Sequence, residues 1–461
     1  MIPTNRTLLR DHWVLAWPII LGQMSHMAQS VVDSVMVGGL GAVPLAGVSV
    51  AVGVFNVLLV FGIGLSLAVT TLSAHARGQG DPEEGGRVLL HGFWVCLLAG
   101  FLMQGLLMLG MPWLSLLNQK PEVEAQMRIY LQALGYSFLP IMLFQAFRQF
   151  IEGLEWMKPA LWIAVLSIPL NIGLNSLLIF GRWGFPAMGV EGAAWATVIA
   201  RWIMALAMMA YVLNQKELRV YWSHQFRLRY VHIQPLFRLL VLGLSSAFQF
   251  IFETSAFAGA AVVIGWLGAE ALAAHQVAIN IASMSFMVAV GISSSASIRI
   301  GYARGLGDLG LARRIGWVAM GMTLSLMSLC ALAFVVWNRE LPAFYVNDPV
   351  VLRSASILLL IAAAFQLVDG LQALGVGLLR GMEDKRVPTL LVLVAYWVVA
   401  LPLGTYLVLH SSYGLYGMWM SLAGGLLLSA IFLILRFLHL TAGAMSKESR
   451  TYAQTDPVEG L

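Results

Sequence analysis

His75-Ala-Arg-Gly-Gln-Gly-Asp81 returns as Tyr302-Ala-Arg-Gly-Leu-Gly-Asp308, at an offset of 227 residues. At the same offset Gly38 falls on Gly265, Leu40 on Leu267, Gly41 on Gly268, Leu45 on Leu272, Gly64 on Gly291 and Arg87 on Arg314. With one residue inserted, Pro121 falls on Pro349 and Gly153 on Gly381. Self-similarity over this length is the mark of an internal duplication.

Around each motif lie apolar runs long enough to cross a bilayer, which takes about 20 residues. Twelve are expected, at 13–37, 48–74, 88–112, 129–151, 160–180, 190–213, 236–264, 275–301, 314–337, 353–378, 388–410 and 415–437. Several contain proline (Pro18, Pro140, Pro169, Pro402), which membrane helices tolerate. Composition agrees. The chain is 59% hydrophobic and 11% charged, against about 25% charged in a soluble domain, and mean hydropathy is +0.82. Such a chain cannot cover a water-facing surface, so lipid must be its solvent. Cys96 and Cys330 lie in apolar runs, which excludes a disulfide scaffold and reads as packing. No small-residue cleavage site follows the first run, so a cleaved signal peptide is not expected.

The net charge of +5 does not imply nucleic acid, because the basic residues sit in short gaps between spans. With the N-terminus inside, 21 of the 27 Lys and Arg residues fall on the cytoplasmic side. Five, Lys120, Arg128, Arg182, Arg339 and Arg353, fall outside, and Arg201 lies within span six. That bias places both termini in the cytoplasm. Six spans per repeat means both halves enter from the same side, so the repeats are parallel, related by an axis along the membrane normal. The expected fold is all-α and integral to the membrane, with twelve helices in two six-helix lobes. The expected boundaries are 1–213 for the first lobe, 214–238 for a basic cytoplasmic linker, and 239–461 for the second lobe and tail.

Three acids lie deep in spans: Asp33, Glu253 and Asp369. Each costs about 2.5–3.5 kcal/mol on insertion scales, so each needs a reason. Glu253 sits among Phe250, Ile251, Phe252 and Phe257. A carboxylate there must take a proton or a cation to lose its charge. Asp369 is expected to converge on it from span ten. Gln276 and Asn280 share a face of span eight by i, i+4 spacing. Two carboxylates with amide oxygens suit a hard cation such as sodium. In the first repeat Asp33 lies toward the outer end of span one, two turns beyond His26. Asn171 and Asn175 share a face of span five, and Thr197 in span six can join them. The 227 offset sets His26 opposite Glu253. Arg201 is the one basic residue expected at depth, where it pairs with Asp33 or Glu191 or snorkels, the ion pair being the preferred reading. Phe252, Phe257 and Met284 are candidate substrate-lining residues, since aromatic faces attract organic cations and Met surfaces adapt to many ligands.

Gln29-Ser-Val-Val-Asp33, the paired Ala-Arg-Gly-x-Gly-Asp loops, Phe252-Glu253-Thr254 and Val368-Asp369-Gly370 resemble the multidrug and toxic compound extrusion (MATE) family, in its bacterial NorM-like branch. The resemblance spans residues 10–440 without large insertions. It implies a V-shaped fold of two six-helix lobes in the inner membrane. It also implies antibiotic resistance through export of cationic or polyaromatic drugs and dyes in exchange for sodium ions or protons. It assigns Glu253 and Asp369 to a cation-coupling cluster and Asp33 with its neighbours to a proton- or substrate-binding network. Some relatives carry a further acid in span five, where this chain has Asn175. A monomer without cofactors is expected.

Other functions fit less well. The Arg-Gly-x-Gly-Asp loops lack the Gly-Lys-Ser/Thr of a phosphate loop, which disfavours an ATP-driven pump. Neither H-E-x-x-H nor G-x-S-x-G occurs, so an intramembrane enzyme is not expected. A lipid-linked-precursor flippase would need a basic cleft, and a channel does not call for single buried acids in two lobes.

Overall fold

The computed structural model describes residues 4–222 and 232–455, with side chains as far as Ala442. Arg227 and Arg229, and the side chains of Lys447 and Arg450, all counted above toward the charge bias, lie outside the described residues.

The chain is nearly all helix, as it must be in lipid, where every backbone N–H and C=O has to be satisfied within its own segment. Among the described residues the twelve long helices are α1 (Asn5–Gly38), α2 (Ala42–Gln79), α3 (Pro82–Gly110), α4 (Pro121–Gly135 with Phe138–Gly153), α5 (Met157–Phe180), α6 (Gly189–Asn214), α7 (Ile233–Gly265), α8 (Ala269–Gly305), α9 (Leu309–Val336), α10 (Pro349–Gly381), α11 (Val387–His410) and α12 (Gly414–Thr455). Among the described residues ten of these are long and apolar enough to cross a membrane on their own. The bent pair in α4 makes an eleventh. The twelfth, α1, has the length, at roughly 50 Å, but is the most polar, carrying His12, Gln23, Ser25, His26, Gln29, Ser30, Asp33 and Ser34.

Two helices depart from regularity, each beside a proline. The halves of α4 meet at 44°, and Pro140 sits in the first turn after the break, where its missing N–H costs nothing. In α11 residues Val394–Ala400 form a π turn just before Pro402, which cannot donate to the carbonyl four residues back.

The duplication is written into the turns. Gly41 and Gly268 precede α2 and α8 at φ of 120° and 114°, and Gly80 and Gly307 close them at 66° and 75°, values that favour glycine. Asp81 accepts from Glu84 N–H at 3.0 Å and Asp308 from Leu311 N–H at 2.7 Å, so the same residue caps α3 and α9. The motif arginines pair alike, Arg77 with Glu155 at 2.8 Å and Arg304 with Glu383 at 2.5 Å. Both glutamates have positive φ. A Cβ on Gly153 would meet Thr70 O at 2.6 Å, and one on Gly381 would meet Ser297 O at 2.7 Å. Each glycine thus lets one helix lie against another's backbone, as small residues do in membranes.

The chain divides into two compact units. The N-unit is Leu21–Ile251 and the C-unit is Met1–Ile20 with Phe252–Leu461, so α1 and α7 each contribute one half to each. In the N-unit α2 packs on α3 and both parts of α4, and α6 packs on α4 and α5. Phe138, Phe144, Phe147 and Phe150 fill its core, with Phe55 stacked on Phe138 at 4.2 Å. In the C-unit α10 is central, packed on α8, α9 and α12. The first turns of α1 are fixed there by Arg299 Nη1 donating to Leu8 O at 2.6 Å and Ser295 Oγ donating to His12 O at 3.2 Å.

Candidate functional site

In the N-unit the break in α4, the start of α5's second half and the far half of α1 bring polar groups together. Asn175 donates through Nδ2 to Asp33 Oδ1 at 2.6 Å and to Asn171 Oδ1 at 2.9 Å. Both donors of that amide are used, which fixes its orientation. Both asparagines are fully buried. Among the described residues Asn175 Oδ1 has no partner, so the cluster keeps a spare acceptor beside a carboxylate. Oxygen acceptors of this kind fit a hard cation or the N–H of an organic cation. Thr197, buried, donates to Ala193 O at 3.1 Å and adjoins Asp33 and Tyr130. Tyr130 is a member that the sequence did not single out.

Arg201 corrects one expectation. Among the described residues it makes no ion pair within 4 Å. Its Nη1 donates to Ser137 Oγ at 2.6 Å, and its guanidinium lies 5.0 Å from the Phe55 ring centre. Asp33 is already held by Asn175, and Glu191 accepts from Trp195 Nε1 at 3.3 Å. Arg201 therefore adds positive potential to the cluster without contacting its acid.

Nor is Arg201 the one basic residue at depth. Arg148, assigned above to the cytoplasmic side, is buried with Glu152, to which its Nε donates at 2.6 Å. Its Nη1 lies 3.4 Å from His26 Nε2. Gln145 and Gln149 share that buried face of α4, and Thr70 Oγ1 donates to Gln149 Oε1. The residues are four and three apart, so the bend in α4 turns a whole polar stripe inward. His26 belongs to this group, and among the described residues no hydrogen bond joins it to Asp33.

In the C-unit Asp369 is buried on α10 and Glu253 half-buried on α7. The Glu253 carboxyl is near enough to act on Asp369, and both act on Tyr396 of the π turn. Gln366, one turn before Asp369, is fully buried with both amide atoms unpartnered. Gln276 and Asn280 bond each other at 3.2 Å on a more exposed face of α8. Among the described residues no hydrogen bond joins either to Glu253 or Asp369. Phe252 and Phe257 are half-buried, and Met284 is exposed. Among the described residues no cluster of three or more His, Cys, Asp or Glu side chains could hold a metal ion.

The comparisons with known proteins follow the repeat. The family model MatE matches residues 18–177 and 245–406, two stretches that start 227 residues apart. A probable multidrug resistance protein NorM of Rhodopseudomonas palustris is 34% identical over 445 residues, covering 96% of this chain and 94% of that protein. One of the same name from Brucella suis is 35% identical over 431 residues, covering 92% of this chain and 91% of that protein. Among solved structures, a eukaryotic MATE transporter (AtDTX14) superposes with a TM-score of 0.85 at 20% identity, covering 96% of this chain and 99% of that one. A MATE transporter in its bent conformation reaches 0.87 at 19%, covering 97% and 100%.

Proposed function

The chain belongs to the MatE family, and from that premise we propose a secondary active exporter of cationic or polyaromatic organic compounds, driven by exchange for sodium ions or protons. It works in the bacterial inner membrane, with both termini cytoplasmic, as a monomer. Its relatives named as probable multidrug resistance proteins support the cargo class.

The observation that carries the reading is the Asp33 cluster. A carboxylate inside a membrane unit is held by one amide, beside a buried oxygen with nothing to accept. Such a site gains most from a ligand that brings positive charge and N–H donors, and that is the chemistry of an organic cation. Glu253 and Asp369 supply the separate place for the coupling ion. Two like charges so close are eased by a proton or a cation, and its departure restores the repulsion. Asp33 then controls substrate release, and the acidic pair controls exchange. The drive follows from charge count. One elementary charge crossing 100 mV is worth about 2.3 kcal/mol. One inward cation per monovalent drug is electroneutral, and further ions would add the membrane potential.

The test is efflux of a fluorescent organic cation from proteoliposomes, first under an imposed sodium gradient and then under an imposed pH gradient. Transport with either gradient, in the absence of ATP, is expected. Transport that persists when both gradients are collapsed while ATP remains would overturn the proposal.

A further inference from the structure

The π turn of α11 carries a buried phenol into the neighbourhood of the acidic pair. Tyr396 is fully buried, and among the described residues its hydroxyl has no hydrogen-bond partner. Its ring lies 5.9 Å from that of Phe257, one turn beyond Glu253 on the same face of α7. The next residue, Trp397, donates Nε1 to the carbonyl of Phe252 at 3.1 Å. Two adjacent residues of the turn therefore grip α7 on either side of Glu253. In a regular α-helix successive residues are about 100° apart. The extra residue of the π turn, closed by Leu401 N–H on Tyr396 O, re-aims this pair. Such turns recur at functional sites.

The surroundings call for a ligand. Gln366 brings an unpartnered oxygen and nitrogen to the same region of α10 as Asp369. A hydroxyl has one proton to give and two lone pairs to offer. It can donate to a carboxylate, or turn its oxygen to a metal cation.

We propose that Tyr396 is the residue that lets the Glu253–Asp369 site bind sodium rather than a proton alone. With no metal ion bound, the hydroxyl is buried and, among the described residues, unpartnered. With sodium bound, the hydroxyl rotates and its oxygen joins the carboxylates as a neutral ligand, with Gln366 Oε1 as another. A hard cation that has lost its water needs several oxygen ligands, whereas a proton needs only one carboxylate. The hydroxyl therefore contributes to one ion and not to the other. This inference rests on reading Glu253 and Asp369 as the coupling site.

The experiment uses the full chain in lipid nanodiscs. Sodium chloride is titrated against choline chloride at constant ionic strength and alkaline pH, with intrinsic tryptophan fluorescence and calorimetry as readouts. The wild type should bind sodium and Glu253→Gln should not. Tyr396→Phe, which removes one oxygen and no bulk, should raise the sodium Kd about tenfold or more. A melting temperature and elution profile like those of the wild type show that this variant folds. Trp397→Phe, which releases the turn from α7, should weaken sodium in the same direction by a smaller factor. If the wild type and Glu253→Gln behave as stated but Tyr396→Phe keeps its sodium affinity, the role of Tyr396 is overturned and the coupling site stands. Unchanged affinity in Trp397→Phe would overturn the part given to the π turn. Sodium binding that survives in Glu253→Gln, or is missing from the wild type, overturns both.

Discussion

Replacing Glu152 by glutamine should unfold the N-unit at a markedly lower temperature, although Glu152 touches no cargo in the proposed scheme. The side chains of Arg148 and Glu152 are only 6% and 7% exposed, and the bond between them is 2.6 Å. With charge centres about 4 Å apart and an effective dielectric near 20, their attraction is about 4 kcal/mol. Removing one member of a buried pair costs about 3–5 kcal/mol, because the survivor stays buried without a countercharge. His26, at 3.4 Å, offers Arg148 a neutral acceptor and not a negative charge. For a unit of this size each kcal/mol moves the midpoint by about 2–4 °C, so a loss on the order of 10 °C is expected. The assay is thermal melting of the detergent-solubilised protein, read as loss of the monodisperse fraction. The pairing makes a second demand. Arg148→Met combined with Glu152→Met should melt above Glu152→Gln alone, since exchanging both charges for apolar groups is often neutral or stabilising. Glu152→Gln melting within 2 °C of wild type would refute the reasoning, because a pair so easily lost is screened by water and not buried.

Asp33→Asn should abolish binding and efflux of organic cations while leaving sodium binding in the C-unit intact; normal transport by a merely less stable protein would show that Asp33 is structural. Gly153→Val and Gly381→Val should each cost about 1–3 kcal/mol by forcing a side chain onto a neighbouring backbone, whereas Gly105→Ala, whose Cβ meets nothing within 4 Å, should be neutral or stabilising; equal melting of all three would remove the close-packing argument. With Cys96 and Cys330 replaced by alanine, Ser115→Cys should react with an impermeant maleimide in intact cells and Leu306→Cys only after permeabilisation; the reverse pattern would invert the topology.

The architecture was readable because it depends on two coarse signals, the length of apolar runs and the 227-residue repeat. Residues 13–37 read as one of the apolar runs, yet α1 falls short of the composition that the other spanning helices reach. The acids were readable for the opposite reason: a carboxyl in an apolar run stands out wherever it lies. Asn171 and Asn175 were found by spacing, and the structure brings both to Asp33. The stripe from Gln145 to Glu152 was not found. An arginine near the end of a span reads as a topology anchor, and only the bend between Tyr136 and Ser137 turns it inward. Tyr396 was hidden as well. Pro402 is visible in the sequence, but a proline in a membrane helix can kink it, break it or be tolerated. That it produces a π turn, and which side chain the turn re-aims, depends on how α11 packs against α7.

The repeat also separates scaffold from chemistry. Many of the residues on which the two halves agree shape the backbone: the positive-φ glycines, the aspartate caps, the arginines that reach a glutamate at the end of the next but one helix, and the glycines under close helix crossings. The groups proposed to handle ions and cargo stand where the halves disagree. At the repeat offset, with the one-residue insertion counted, Asp33 faces Ala260, Asp369 faces Ile141 and Gln366 faces Phe138. His26 faces Glu253, one of the few positions with a titratable group in both halves. A duplicated bundle starts with two equivalent interiors. If both kept the same acid at the same depth, each would take the same ion, and neither would be free to answer to a different ligand. In the proposed exchange of a drug for an ion, the two interiors respond to different ligands. In this chain the N-unit couples one acid to amides and a distant arginine, and the C-unit sets two acids against each other beside a phenol. The difference arises from side-chain replacements within a common frame, so the sites can diverge without altering the turns that hold each half together.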